Sequence, residues 1–272
     1  MLPVDVAIHR VRRDITLGML LKAILIAAVL ACLIFAPPSA KLAALLGVLG
    51  VWIALSVTSA RSSRLAMDSP MLIAAGEFDE AERQIDQAMR AFSLFSPAKL
   101  RALHQLAVLR HAQRRWEDAA AICRALLRQR SINRRSLTKP SRLILAESLL
   151  ELNELPGSYV AIRDLYGQQL SLDEVLNVLS LQLDYEAKIG AWAAMFNGMA
   201  AKVQLAELMP SAAAARIQAF LGLAALKSGR TDWADWLRRR AELLVDVDSL
   251  TRDRPMLSDL WATRQPGPPA DT

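Results

Sequence analysis

Apolar residues fill two continuous segments near the start of the chain. The first, residues 15–36, has Lys22 as its one charged side chain, and the second, residues 42–60, has none. As helices they would be about 33 Å and about 28 Å long, close to the ~30 Å hydrocarbon core of a bilayer. Because only residues 37–41 join them, we predict two transmembrane helices that form an antiparallel hairpin. We expect Lys22 to extend its ammonium to the headgroup region.

Basic residues flank the two apolar segments at the ends away from their link. Residues 1–14 form a basic N-terminal segment, and Arg61 and Arg64 follow the second span, whereas the link contributes only Lys41. The positive-inside bias therefore puts both ends in the cytoplasm. The pattern predicts a multi-pass protein of a bacterial-type inner membrane. A cleaved signal peptide is the alternative, but 22 apolar residues exceed a usual signal core and a second segment follows directly.

Beyond residue 64 the continuous apolar pattern gives way to amphipathic helical periodicity with a recurring marker. The marker is an aromatic residue that opens a helix, and successive markers are 38, 43, 33 and 41 residues apart. A period of this length is typical of paired helices that bury their apolar faces by stacking on neighbouring pairs. We predict such an array over residues 64–250. The five markers are Phe78, Trp116, Tyr159, Trp192 and Trp233.

Two of these units carry a recognisable pattern. Gly76-Glu-Phe78-Asp-Glu-Ala81 and Trp116-Glu-Asp-Ala119 resemble tetratricopeptide repeats, in which a short turn leads into a helix with an aromatic and, three places on, a small residue. The later units depart from this pattern, with Ile162, Met195 and Trp236 at the small position, and Arg110 stands where the family usually has an aromatic. The resemblance implies an all-α fold in which the transmembrane hairpin precedes an α-solenoid of helix pairs. The repeat-defining structural residues would be Phe78, Ala81, Trp116, Ala119, Tyr159, Trp192 and Trp233.

Composition agrees with a helical protein and marks a different C-terminal segment. Glycine and proline are scarce until the end of the chain, while alanine, leucine, arginine and glutamate dominate. We treat residues 251–272 as a separate C-terminal segment. Its last part, rich in proline and glycine, predicts disorder from about residue 264.

Positive charge is concentrated in residues 101–142. This stretch holds eleven Lys and Arg side chains against two acidic ones, whereas the whole chain has a net charge of +6. Three interpretations remain open: a solvated surface, a contact with anionic lipid headgroups, or the binding of an acidic protein partner. Trp116 is its only aromatic residue, which argues against single-stranded nucleic acid. The predicted partner-binding residues are Arg110, Arg114, Arg128, Arg134 and Arg135.

Sequence patterns for catalysis are missing. The three histidines do not form a metal-binding pair, and the two cysteines, Cys32 and Cys123, are far apart in the chain. No glycine-rich phosphate loop or nucleophile elbow is found. We therefore expect no catalytic residues, no metal and no cofactor, and a protein that is not an enzyme.

The combined pattern predicts a membrane-anchored scaffold or adaptor. Stacked helical hairpins offer a surface for peptides or partner helices, and the resemblance to tetratricopeptide repeats implies protein binding. An alternative is a membrane subunit of a transport or secretion assembly with the repeats as a regulatory module. The layout is also similar to that of bacterial inner-membrane proteins of tetrapyrrole synthesis that place a two-helix anchor before such repeats.

Overall fold

The computed structural model is all-helical over the part of the chain that it describes. This part contains fifteen α-helices, one short 3-10 helix and no strand, which confirms the predicted all-α class. The chain divides into two compact units, residues 1–154 and 155–272. The predicted disordered tail from about residue 264 lies outside the described residues, which are 3–35, 37–64, 68–91, 93, 96–129 and 137–262.

The described residues of the first unit form seven helices. The first two are the long apolar ones, and each of the remaining five packs against the next along the chain. In addition, α5 contacts both α3 and α7, its alternate neighbours. These helices are α1 (Val4–Phe35), α2 (Pro38–Arg64), α3 (Ser69–Ala74), α4 (Phe78–Arg90), α5 (Ser96–Ala112), α6 (Trp116–Arg128) and α7 (Thr138–Glu151).

The second unit is built around one central helix, which contacts most of the remaining elements of the unit. This helix, α12, has buried Ala, Leu, Gly and Phe residues around nearly its whole circumference. The unit contains α8 (Leu155–Tyr166), α9 (Leu172–Lys188), α10 (Trp192–Phe196), α11 (Met199–Ala206), α12 (Ser211–Lys227), α13 (Thr231–Leu244), α14 (Val247–Asp253), a 3-10 helix (Pro255–Ser258) and α15 (Asp259–Ala262).

Helix α1 has two parts with different surroundings. Val4, Ala7, Val11 and Ile15 recur every three to four residues on one face, and all four are buried where α1 packs on α4, α5 and α6. The sequence analysis treats residues 1–14 as a separate basic segment, whereas the structure makes residues 4–14 the first turns of α1. The difference arises because these apolar residues alternate with arginines, which hides the buried stripe from a reading based on composition.

The rest of α1 exposes its apolar side chains. Leu20, Ile26 and Ile34 are each more than half exposed. Among the described residues, α1 is the one helix whose length and apolar composition would allow it to cross a membrane. The apolar part of α2, residues 45–59, is shorter.

A single turn geometry recurs five times along the chain. In each turn one residue has a left-handed backbone conformation, with φ between 59° and 80°, and the next helix begins two residues later. The amide of that residue donates a hydrogen bond to the carbonyl three residues back, and the following amide donates to the carbonyl five residues before it. This is the Schellman arrangement, which satisfies the free carbonyls at a helix end. The left-handed residues are Gly76, Arg114, Asn153, Gly190 and Gly229.

The turns are more regular in spacing than the aromatic markers. They lie 38, 39, 37 and 39 residues apart. Phe78, Trp116 and Trp192 open their helices as predicted, but the third turn centres on Asn153, so Leu155 opens α8 and Tyr159 is its fifth residue. Trp233 is the third residue of α13. The sequence analysis placed the units by their aromatic residues, whereas the backbone conformation of the turn sets their register. Asn can adopt this left-handed conformation, as Gly does.

When the units are aligned on their left-handed residues, the third and fifth units also have a small residue after the turn. In each unit, the residue five positions after the left-handed residue is buried, and it is small in four of the five units. The residue seven positions before the left-handed residue is also buried, and it too is small in four of the five units. At the last turn the two helices are close: a Cβ on Gly222 of α12 would lie 3.3 Å from Leu237 Cβ of α13. Small side chains let paired helices approach. The first set is Ala81, Ala119, Ser158, Met195 and Ala234, and the second is Ser69, Ala107, Ala146, Leu183 and Gly222.

The turn geometry predicts the effect of a methyl group at Gly229. A Cβ there would meet no atom within 4 Å, so the cost of Gly229→Ala arises from its φ of 72° alone. We expect the free energy of unfolding to fall by about 1 kcal/mol. Chemical denaturation in mild detergent measures it, with Gly167→Ala as the control, because Gly167 has an ordinary φ and room for a methyl group. An equal loss in both variants would contradict the role of the turn.

Candidate functional site

A buried lysine joins the long apolar helix to the helical array. Lys99, on the first turn of α5, is 1% exposed, and its Nζ donates to the carbonyl oxygens of Met89 at 2.5 Å and Ala91 at 2.6 Å. The same Nζ lies 2.9 Å from Asp14 Oδ2 on α1. A buried ammonium is tolerated only where its hydrogen-bonding capacity is met. One side chain therefore fixes the end of α4, the start of α5 and α1 together.

Two further polar contacts hold the apolar helices on this unit. The guanidinium of Arg10 donates from Nη1 to Asp86 Oδ1 on α4 at 3.2 Å. On α2, the hydroxyl of Ser59 lies 2.9 Å from that of Ser93, and both are buried. Helix α1 near its start and α2 near its end are thus each tied to the α4–α5 region.

Arg110, one of the predicted partner-binding residues, is buried rather than exposed to a partner. Its side chain is fully buried, and its guanidinium donates from Nη2 to Glu82 Oε1 at 2.8 Å and from Nη1 to Glu82 Oε2 at 3.3 Å. Nη1 also donates to Gln113 Oε1 at 2.8 Å. This forked pair occupies the place where the resembling family usually has an aromatic residue. Arg110 is therefore engaged inside the first unit, where Glu82 on α4 and Gln113 accept hydrogen bonds from its two terminal nitrogens.

The remaining predicted arginines fall in different places. Arg114 is the left-handed residue of the second turn and is exposed beside Trp116. Arg128 is exposed at the last turn of α6. Arg134 and Arg135 lie outside the described residues. The structure does not bring Arg110, Arg114 and Arg128 together into one basic face.

The repeat-defining residues fall into a buried, a half-buried and an exposed group. Ala81 and Ala119 are fully buried, and Trp116 makes an edge contact with the His111 ring, 5.0 Å between centroids. Tyr159 and Trp233 are 49% and 44% exposed, as expected for residues that do not open their helices. Phe78, Trp116 and Trp192 are half-buried.

A groove that sequence reasoning missed lies between α1 and α6. It has a volume of about 630 Å³, and its rim carries Arg12 from α1 and Arg128 and Gln129 from the end of α6. Its floor is apolar and includes Ile15 and Met19. No sequence signal links Arg12 to Arg128, since 116 positions separate them and only the packing of α1 on α6 brings them together.

The interior of the first unit has two ionisable groups with shifted pKa values. Burial lowers the pKa of His104 to about 4, and its Nδ1 lies 3.1 Å from the Ser141 hydroxyl. Burial raises the pKa of the Cys123 thiol to about 12. Both shifts favour the neutral form, which is typical of structural groups in a core. Among the described residues, no group of three or more metal-binding side chains is found.

Comparison with known proteins adds no family to this geometry. No family model, curated protein or solved structure matches the chain. Its function must therefore be inferred from its own residues, above all from the joint at Lys99, the five equivalent turns and the groove between α1 and α6.

The Lys99 joint predicts a large effect on stability. Lys99→Met keeps the aliphatic stem but leaves the Asp14 carboxylate without its ammonium and two carbonyls without their donor. We expect the free energy of unfolding to fall by about 3 kcal/mol. Chemical denaturation of the full chain measures it, and Arg101→Met, an exposed change on the same helix, should cost little. Similar stability of the wild type and the Lys99 variant would show that the joint is not needed.

The shifted pKa of His104 predicts a dependence of stability on pH. Because the ring binds a proton near pH 6.5 when unfolded but only near pH 4 when folded, the unfolded state takes up the proton first as pH falls. The contribution to stability is complete above about pH 6.5 and is lost between pH 6.5 and 4, by about 3 kcal/mol. His104→Gln should flatten this part of the stability profile, measured by denaturation across that range. The exposed His9→Gln is the control, and an unchanged slope in the His104 variant would contradict this origin.

Proposed function

We propose that the protein is a membrane-anchored scaffold of tetratricopeptide-like helix pairs that binds protein partners on the cytoplasmic side of a bacterial-type inner membrane. Two observations carry the proposal. An exposed apolar helix starts inside the helical array, and the array repeats one turn every 37 to 39 residues.

The contacts between α1 and α2 support a two-span anchor. The two helices pack on each other, and an apolar groove of about 540 Å³ is lined by Leu25, Val29, Leu45 and Val48 from both. The start of α1 and the end of α2 both contact α4 and α5, which fits antiparallel spans that cross the bilayer and return. The exposed Leu, Ile and Val side chains on both helices would then face lipid rather than water.

The recurring turn supports the tetratricopeptide-like assignment. Four of the five turns join helices of the same unit, and in each of these four the two helices contact each other. Small buried residues stand on both sides of each turn in most repeats, as close helix pairing requires. The interval of 37 to 39 residues exceeds the 34 of the family, so the likeness lies in the helix pair rather than in the length of the connection.

The distribution of charge supports a cytoplasmic array. Arg10 and Arg12 lie on the part of α1 that packs against the array, so both are on the same side of the apolar segment as the helix pairs. Positive residues of this kind stay in the cytoplasm. The exposed Arg114 offers positive charge to an acidic partner, and the sequence adds Arg134 and Arg135 in the same basic stretch of the chain.

In-cell crosslinking of the full-length protein tests partner binding. We expect a discrete crosslinked partner that is lost in the triple variant Arg114→Gln, Arg134→Gln and Arg135→Gln, because complementary charge steers and orients such a contact. A matched control removes three exposed arginines of the second unit, Arg163, Arg230 and Arg239, and should keep the partner.

Membrane extraction of the same samples separates the two parts of the proposal. The wild type and both variants should stay with the membrane pellet in alkaline carbonate, as integral proteins do. Release of the wild type by carbonate would contradict the anchor. An unchanged partner list in both triple variants would contradict binding through the basic surface.

A further inference from the structure

We infer that the groove between α1 and α6 binds the phosphate headgroup of an anionic phospholipid from the leaflet that α1 enters. This inference rests on the proposed membrane anchoring. The defining observation is that Arg12 of α1 and Arg128 of α6 line one groove together with the apolar residues Ile15 and Met19 of α1.

The height of the groove along α1 matches the headgroup region. Ile15 is the last buried apolar side chain of α1, and Gly18 is buried just beyond it. The remaining residues, 16–35, form a helix about 30 Å long, which is the thickness of the hydrocarbon core. Thr16 therefore marks the boundary, and Arg12, one turn earlier, lies about 6 Å outside it.

The charges of the groove suit a phosphate. Arg12 and Arg128 are both exposed, and among the described residues neither guanidinium has an ion-pair or hydrogen-bond partner. No described carboxylate lines the groove, and Gln129 adds an amide that can donate. Guanidinium groups bind phosphate oxygens through paired hydrogen bonds, so two of them converging on one groove form a site for a phosphodiester.

The apolar floor favours a lipid over a soluble anion. Ile15 and Met19 lie one turn apart on the face of α1 that also carries Arg12. Lys22, Ile26 and Val29 continue this face by helical periodicity. The ammonium of Lys22 would extend back toward the phosphate, and an acyl chain would follow the apolar residues beyond it. The hydroxyl of Thr16 donates to the carbonyl of Arg12 and is not a ligand in this scheme. An acidic peptide would have to lie partly in hydrocarbon to fill the same groove.

Lipid retention by the purified full-length protein tests the inference. Wild-type protein and the variant Arg12→Gln with Arg128→Gln are incorporated into bilayer discs of phosphatidylcholine with a minor fraction of phosphatidylglycerol. Native mass spectrometry then counts the lipids that remain bound. We expect the wild type to retain phosphatidylglycerol in preference to phosphatidylcholine, and the double variant to lose this preference by about tenfold.

The control variant removes the same two charges elsewhere. Arg230→Gln with Arg239→Gln changes exposed residues of the second unit and should leave the preference intact. Equal preference in the wild type and the groove variant, or equal loss in the control, would overturn the inference. Because both groove arginines are exposed, circular dichroism should show that the variant stays folded.

Competition with inorganic phosphate distinguishes a lipid headgroup from a free phosphate ion as the ligand of the groove. If the groove holds a lipid, added phosphate leaves the bound phosphatidylglycerol in place, because the acyl chains contribute to binding. Displacement by inorganic phosphate alone would show a site for a free anion and overturn the lipid assignment. Carbonate-resistant membrane association of the groove variant separates failure of this site from failure of the anchor.

Discussion

The buried ammonium of Lys99 is the constraint on which the arrangement of the first unit depends. It lies between two carbonyls at the end of α4 and the carboxylate of Asp14 on α1. A charge in that position must keep all its partners, since losing one leaves a buried group unsatisfied. The position of α1 on the array is therefore fixed both by apolar contacts and by a directional polar one.

This constraint determines where the apolar helix leaves the protein. Because Asp14 is held at Lys99 and Ile15 is buried, the exposed part of α1 begins within one turn of the joint. Motion of the array is then coupled to α1 without a flexible linker, as the helix is continuous across the joint. The groove lined by Arg12 and Arg128 depends on the same packing of α1 against α6 within the first unit.

The repeat is maintained by backbone geometry and close helix contacts rather than by one conserved side chain. Three turns use glycine in the left-handed position, one uses asparagine and one uses Arg114, a residue that adopts it at a cost. What recurs is the pair of hydrogen bonds that closes each helix and the small buried residues on either side. Arg110 illustrates the tolerance of the interior, since Glu82 supplies the acceptors that make an arginine acceptable at a core position.

The sequence by itself determined the helical class, the apolar character of α1 and the existence of a repeat, because these follow from composition, length and periodicity. It predicted Phe78, Trp116 and Trp192 as helix openers correctly. It missed the register at Asn153, since a left-handed residue need not be glycine. Only the tertiary structure decided that Arg110 is buried and that Arg12 and Arg128 line one groove, because both depend on contacts between residues far apart in the chain. The neighbours of a helix decide which of its sides is buried, and a local sequence pattern does not identify those neighbours.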